Sequence, residues 1–211
     1  TQCMKNLKMK KEFKVIADLL PNDTRVLDVG SNFGYMCLSV SKIRNYECTG
    51  FESEKQVYKF SEKLRKKSNL KNVFFFNKKL QFMNLDNLQN YDIIFLLNVL
   101  HHAGHTYDKN RIQYSQKWIN YVIKYLRKIR KKSKYIFFQT GNVNFGINYF
   151  DNKKIFKVIP EIMKKSGWKI KKIEIIKNFN KKNLKYETYE RKNINKIPVI
   201  MCKRNTKSNL V

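Results

Sequence analysis

Met9, Phe13, Ile16 and Leu20 recur at i, i+4, i+7 and i+11, the stripe of an amphipathic helix, and Pro21, Asn22 and Asp23 stop it. Met4 and Leu7 fall off that stripe, which leaves its start open. From there apolar runs bounded by turn residues alternate with amphipathic stretches. Runs at 24–30, 46–52, 72–77, 91–97 and 135–139 predict strands, and stretches at 33–43, 54–68 and 108–131 predict helices. Strand followed by helix, repeated, predicts a parallel sheet with helices on both faces. The late part differs. A helix near 154–166 precedes Trp168 to Ile176, which alternates as a strand with one wet face, and 197–202 is a further apolar strand. Two strands joined only by a polar connection predict an antiparallel hairpin. That makes seven strands in all, followed by a polar tail at 205–211.

The first strand carries the candidate chemistry. Val26, Leu27 and Val29 flank Asp28, and the run breaks into Gly30, Ser31, Asn32, Phe33 and Gly34 before turning helical. A strand, a tight glycine loop and a helix start let backbone approach a ligand closely. Glu52 closes the next strand, about 20 residues on, where an acid suits a ribose diol. Together they predict a nucleoside-containing cofactor. The spacing is GxNxG rather than GxGxxG, and Tyr35 stands where a third dinucleotide glycine would be, so a nicotinamide cofactor fits poorly.

Composition narrows the setting. At 211 residues and 42% hydrophobic, the chain can bury the core of one α/β domain, expected over 1–204 with 1–23 as a helical cap. Cys3, Cys37, Cys48 and Cys202 form no CxxC pair, which predicts reduced thiols and a cytoplasmic protein. No apolar stretch approaches the roughly 18 residues needed to span a bilayer, no signal-peptide pattern precedes the first helix, and a chain beginning at Thr1 reads as trimmed or processed. Net charge is +29, which by itself points to a polyanion. Of the 45 basic residues only 8 are arginine, the remaining 37 being lysine, and the chain is rich in Asn, Ile, Phe and Tyr. That is the bias of an AT-rich genome, whereas dedicated phosphate readers favour arginine. The 16 acidic residues are few, so a preference for anionic ligands stands beside the compositional explanation.

Asp28, Gly30, Asn32 and Gly34 resemble motif I of the class I S-adenosylmethionine-dependent methyltransferases, an acidic residue followed by GxGxG at the end of the first strand. The strand and helix order and the terminal hairpin resemble that family too. The resemblance implies an α/β, doubly wound, Rossmann-like sheet of seven mostly parallel strands, ordered 3-2-1-4-5-7-6 with strand 7 antiparallel. It implies S-adenosylmethionine as cofactor and S-adenosylhomocysteine as product. Asp28 would lie near the methionine amino group, Gly30, Ser31, Asn32 and Gly34 would wrap the cofactor, and Glu52 would take the ribose hydroxyls. Asn32 replaces the middle glycine, and Asn tolerates left-handed backbone angles. Asn77, or an amide near Leu80, would reach the adenine, and Asn98 would complete the set.

After the fourth strand, Asn98 to His105 holds every histidine of the chain: His101, His102 and His105. Doubly wound folds keep their sites at these strand ends. Asn98 through His102 resembles the stretch after strand four of small-molecule methyltransferases, where a polar residue and a histidine face the methyl group. His101 is the first candidate for a general base and His102 the second. His101 and His105 would share a helical face as zinc ligands can, but Gly104 interrupts the helix and the loop holds no Cys or carboxylate, so no metal is expected. His105, Gln139 and Asn142 are candidate acceptor-binding residues. More weakly, the chain resembles small methyltransferases of bacterial capsule and surface-polysaccharide clusters. The expected function is methyl transfer to an oxygen of a small polar acceptor, a carbohydrate or a phosphorylated or phosphoramidate-bearing precursor, by a monomer or homodimer. RNA methylation, and a cofactor-binding scaffold without activity, are the alternatives.

Overall fold

Val26 and Leu27, adjacent in the chain, are buried in two different clusters, because successive side chains of a strand point to opposite faces. Both faces of β1 (Arg25–Val29) are therefore covered, and its sequence is apolar throughout except at Arg25 and Asp28. The computed structural model describes residues 24–112, 115–141, 143–144, 147–150, 154–177 and 196–204. The expected N-terminal helix, Asn142 and the polar tail lie outside the described residues.

β1 leads through a tight loop to α1 (Tyr35–Arg44), then β2 (Glu47–Glu52), α2 (Lys55–Ser68) and β3 (Val73–Asn77). The crossover to β4 (Tyr91–Leu97) contains a single 3-10 turn, Phe82–Asn84, rather than an α-helix. α3 (Ser115–Lys132) and β5 (Ser133–Gln139) follow. Five strands pair in parallel in the order β3-β2-β1-β4-β5. After β5 come a two-residue pair that the hydrophobic pattern does not predict, β6 (Val143–Asn144) and β7 (Ile147–Asn148), and α4 (Ile155–Lys165). β8 (Trp168–Lys177) and β9 (Lys196–Arg204) then extend the sheet: β9 lies antiparallel on β5, and β8 antiparallel on β9. Parallel pairing is thus confined to five strands.

One cluster packs α3 and α4 against the sheet through Trp118, Tyr125, Ile129, Ile159 and Met163. The other packs α1 through Cys37, Leu38 and Val40, with Phe95 and Phe137 beneath them. Helix α3 begins seven residues later than the expected start at Asp108. Asp108 takes a left-handed backbone (φ 49°) ahead of a 3-10 turn, Lys109–Arg111, and its carboxylate accepts hydrogen bonds from the Phe82 amide (2.9 Å) and the Tyr121 hydroxyl (2.6 Å). A side chain committed to a neighbouring loop and a left-handed backbone are both incompatible with a continuing helix.

Phe95 is fully buried and stacks on Phe137 at 5.1 Å, whereas Phe74 on edge strand β3 is half exposed. In chemical denaturation Phe95→Ala is expected to cost about 3–5 kcal/mol, and Phe74→Ala less than about 1 kcal/mol.

Candidate active site

Gly30, Asn32 and Gly34 all adopt left-handed angles, φ 71°, 50° and 79°. The loop they form is tied to the end of β2. The amides of Gly30 and Ser31 donate to the Phe51 carbonyl at 2.8 and 3.0 Å, and the Asn32 amide donates to Glu52 Oε2 at 2.9 Å. The Asn32 side chain accepts from the Phe33 amide at 2.8 Å, the local bond that makes Asn the residue best able to replace glycine here. At Gly34 the requirement is steric as well: a Cβ there would lie 2.3 Å from the Phe75 ring.

Glu52 accepts a second amide, that of Glu54, on Oε1 at 2.8 Å. Each carboxylate oxygen has two lone pairs, so both retain a free acceptor position. The carboxylate is therefore held in place without being saturated. Asn77, by contrast, spends its amide nitrogen on the carbonyls of Glu52 (2.9 Å) and Ser53 (3.2 Å), fastening β3 to β2.

The histidine loop is held from beneath by aromatic donors. Trp118 Nε1 donates to the Leu100 carbonyl at 2.9 Å, and the Tyr149 hydroxyl to the carbonyls of His101 (2.9 Å) and Ala103 (3.3 Å). The Tyr107 hydroxyl donates to the Val99 carbonyl at 3.2 Å, and that of Tyr125 to the Leu80 carbonyl at 3.1 Å. Trp118 and Tyr149 stack at 4.3 Å, nearly parallel. Burial raises the phenol pKa of both Tyr107 and Tyr125, so these hydroxyls stay protonated donors.

A cleft of about 300 Å³ opens where these loops meet. Val29, Gly30 and Asn32 line it from the first loop, Phe51, Glu52 and Ser53 from the second, and Lys78, Lys79 and Leu80 from the end of β3. Asn98, Val99, His102, Thr106 and Tyr107 close it from the histidine loop. A carboxylate with free lone pairs beside apolar walls suits a nucleoside, its diol on Glu52 and its base against Phe51, Leu80 or Val99.

Of the described residues expected from sequence, Gly30, Asn32, Glu52, Asn98 and His102 meet in this cleft, and Asp28, Ser31, Gly34, Asn77, His101, His105 and Gln139 are not among its lining. Asp28 lies on the α1 face of the sheet with Cys37 Sγ 4.0 Å from its Oδ2. Ser31 is buried against Gly50, and its Oγ has no hydrogen-bond partner among the described residues. Gly34 packs against Phe75. His101 is half-buried beside Gly141, its ring 4.0 Å from that of His102, and His105 donates its amide to the His102 carbonyl at 3.2 Å. Gln139 is buried, with Oε1 accepting from Asn98 Nδ2 at 2.9 Å. Lys78, Lys79, Thr106 and Tyr107 were not anticipated, although Lys78 and Lys79 directly follow the third strand, where the doubly wound rule already places ligands. Among the described residues no group of three or more His, Cys, Asp or Glu gathers as a metal site.

No protein-family model matches the chain, and no curated protein matches it in sequence. Solved structures match it in shape. A precorrin-6y C5,15-methyltransferase from Geobacter metallireducens GS-15 superposes with a TM-score of 0.58 at 17% identity, over 95% of this chain and 92% of that one. WbdD, a bifunctional kinase-methyltransferase, gives 0.59 at 14% identity over 96% of this chain, which spans only 39% of WbdD. TrmK from M. capricolum, solved with the cofactor product S-adenosyl-homocysteine, gives 0.55 at 14% identity over 96% of this chain and 72% of its own. The chain has the class I methyltransferase fold. At such identities the likeness is one of architecture, and within this methyltransferase fold the cleft lies at the carboxyl ends of the parallel strands.

Asp28 is unusual electrostatically. Burial first, and the Glu52 carboxylate second, push the Asp28 carboxyl from 3.8 up to about 7. A carboxyl raised on folding binds its proton more tightly in the native state. Its contribution to stability is therefore complete below about pH 4 and is lost as pH rises towards 7, with a slope on the order of 1.4 kcal/mol per pH unit. Urea unfolding of the ligand-free protein at a series of pH values should show this decline, and Asp28→Asn should flatten it.

Proposed function

We propose that the chain is an S-adenosylmethionine-dependent methyltransferase that methylates an oxygen of a small polar acceptor. The acceptor we favour is a carbohydrate, or a phosphorylated or phosphoramidate-bearing precursor, of a surface polysaccharide. The observation that carries the reading is the convergence of Glu52, the Gly30 to Gly34 loop and His102 on one cleft. The kinase-methyltransferase WbdD among the structural neighbours favours an enzyme of this fold, and the set of residues lining the cleft favours a nucleoside-bearing cofactor.

S-adenosylmethionine, when bound, would supply an electrophilic methyl carbon open to in-line attack by the acceptor oxygen, with the sulfur of S-adenosylhomocysteine as the leaving group. The chain's own contribution is to align the acceptor and exclude water. Glu52, fixed by the amides of Asn32 and Glu54, offers its free lone pairs to the ribose hydroxyls. Left-handed angles at Gly30 and Asn32 bring backbone to the cleft wall without a Cβ at Gly30. His102, exposed in the cleft, removes the acceptor's proton, a step worth about 10² to 10⁴ in rate. His101 takes the supporting role: its ring packs on that of His102 and its carbonyl is anchored by Tyr149. Lys78 and Lys79 put positive charge at the cleft wall and favour an anionic acceptor.

Calorimetry with S-adenosylhomocysteine tests the cofactor. Binding by the intact chain, weakened tenfold or more in Glu52→Ala, is expected; absence of binding in the intact chain would sink the reading. Turnover, followed as S-adenosylhomocysteine release over a panel of nucleotide sugars and phosphorylated sugars, should fall about 10² to 10⁴-fold in His102→Ala with affinity for the product retained. The net charge keeps RNA as a second acceptor class, and a steep fall of RNA affinity with salt would identify it.

A further inference from the structure

Lys55, Lys59, Lys63 and Lys67 follow one another at intervals of four along α2, and all four, with Lys66, are exposed. Residues four apart share a helix face, so the ammonium groups form a ladder about 18 Å long. Like charges so placed repel, which means the helix carries the ladder at a cost to its own stability. The one arginine of α2, Arg65, is engaged by Glu62 through two hydrogen bonds of 2.9 Å. The face therefore presents point charges and no free guanidinium fork.

Beside the ladder stands exposed aromatic surface. Phe60 of α2 and Phe33 of the first loop are 45% and 40% exposed and meet edge to face at 5.1 Å, and Tyr35 at the start of α1 is 45% exposed. Phe33 directly follows Asn32, which lines the cleft, so this surface adjoins the mouth of the candidate site. Large exposed rings beside an aliphatic-stemmed lysine row are the composition of a surface that lies on a membrane: rings at the headgroup boundary, ammonium groups among anionic headgroups. Single-stranded RNA is the poorer match, because the arginine that would grip phosphate is occupied and the two phenyl rings pack on each other instead of standing open for bases.

We propose that the α2 lysine ladder together with Phe33, Tyr35 and Phe60 docks the protein on an anionic phospholipid surface, with the cleft mouth facing the headgroups. This docking does not depend on which acceptor is methylated. No helix among the described residues is long and apolar enough to cross a membrane, and peripheral attachment needs none.

Co-sedimentation of the full chain with vesicles tests it, using phosphatidylcholine alone and phosphatidylcholine with roughly one third phosphatidylglycerol. Binding is expected only to the anionic vesicles. The triple variant Lys59→Glu, Lys63→Glu, Lys67→Glu should lower partitioning at least about a hundredfold, and the corresponding Gln variant should lower it less. Phe33→Ser with Phe60→Ser should cost about tenfold or more and remove the binding that survives high salt. A charge-matched control on α3, Lys117→Glu, Lys124→Glu, Lys131→Glu, should stay within about threefold of the parent, because it leaves the docking face intact. Melting temperatures near that of the parent show that the variants are folded. Equal losses in the α2 and α3 triples would mean that net charge alone attracts the protein, and the proposal falls. It falls equally if anionic vesicles are not bound, or if polyuridine is bound through α2 while vesicles are not.

Discussion

The hydrogen bond from the Asn32 amide to Glu52 holds the two halves of the candidate site together. Around it, the amides of Gly30 and Ser31 share the Phe51 carbonyl, so the loop after β1 is folded down onto the end of β2. Three left-handed residues in five make that fold possible, and a Cβ at Gly34 would drive into Phe75. Once the loop is fixed, α1 starts at Tyr35, β2 ends with its carboxylate in the cleft, and the cleft acquires two of its walls. An acid that accepts two backbone amides and still has free lone pairs serves as both brace and binding group.

The opposite wall depends on a different device. Polar backbone in the stretch Leu80 to Ala103 is satisfied from below by Trp118, Tyr149, Tyr107 and Tyr125. Each places an apolar ring in the core and one donor at its edge, so an irregular loop is fastened without buried charge. Asn98, left-handed at φ 57°, turns the chain out of β4, its side chain held by Gln139. This scaffold determines that His102 faces the cleft while the neighbouring His101 turns beneath Gly141.

Charge works on two scales here. The excess of +29 is spread over the chain and follows its lysine-rich composition. The ladder on α2 is a local arrangement, set by a spacing of four and by the ion pair that removes Arg65 from it. Long-range attraction follows from the total, whereas a preferred docking face requires the local pattern and the rings beside it.

Hydrophobic periodicity made the order of strands and helices legible, because burial on both faces imposes continuous apolar runs such as Ile93 to Leu96. Glycine spacing and an acid about 20 residues on marked the loop and Glu52, since left-handed backbone and a strand-end carboxylate are local requirements. The delayed start of α3 escaped that reading because it follows from contacts of Asp108 with Phe82 and Tyr121, and the β6–β7 pair because strands of two residues are too short to show a period. So did the division of labour among neighbours. Which of His101 and His102 faces the cleft, that Gln139 and Asn77 are spent on bracing, and that Lys78, Lys79, Thr106 and Tyr107 join the walls were decided by tertiary packing. A residue's type and position can be read from the chain, but the direction its side chain takes depends on what fills the space on its other side.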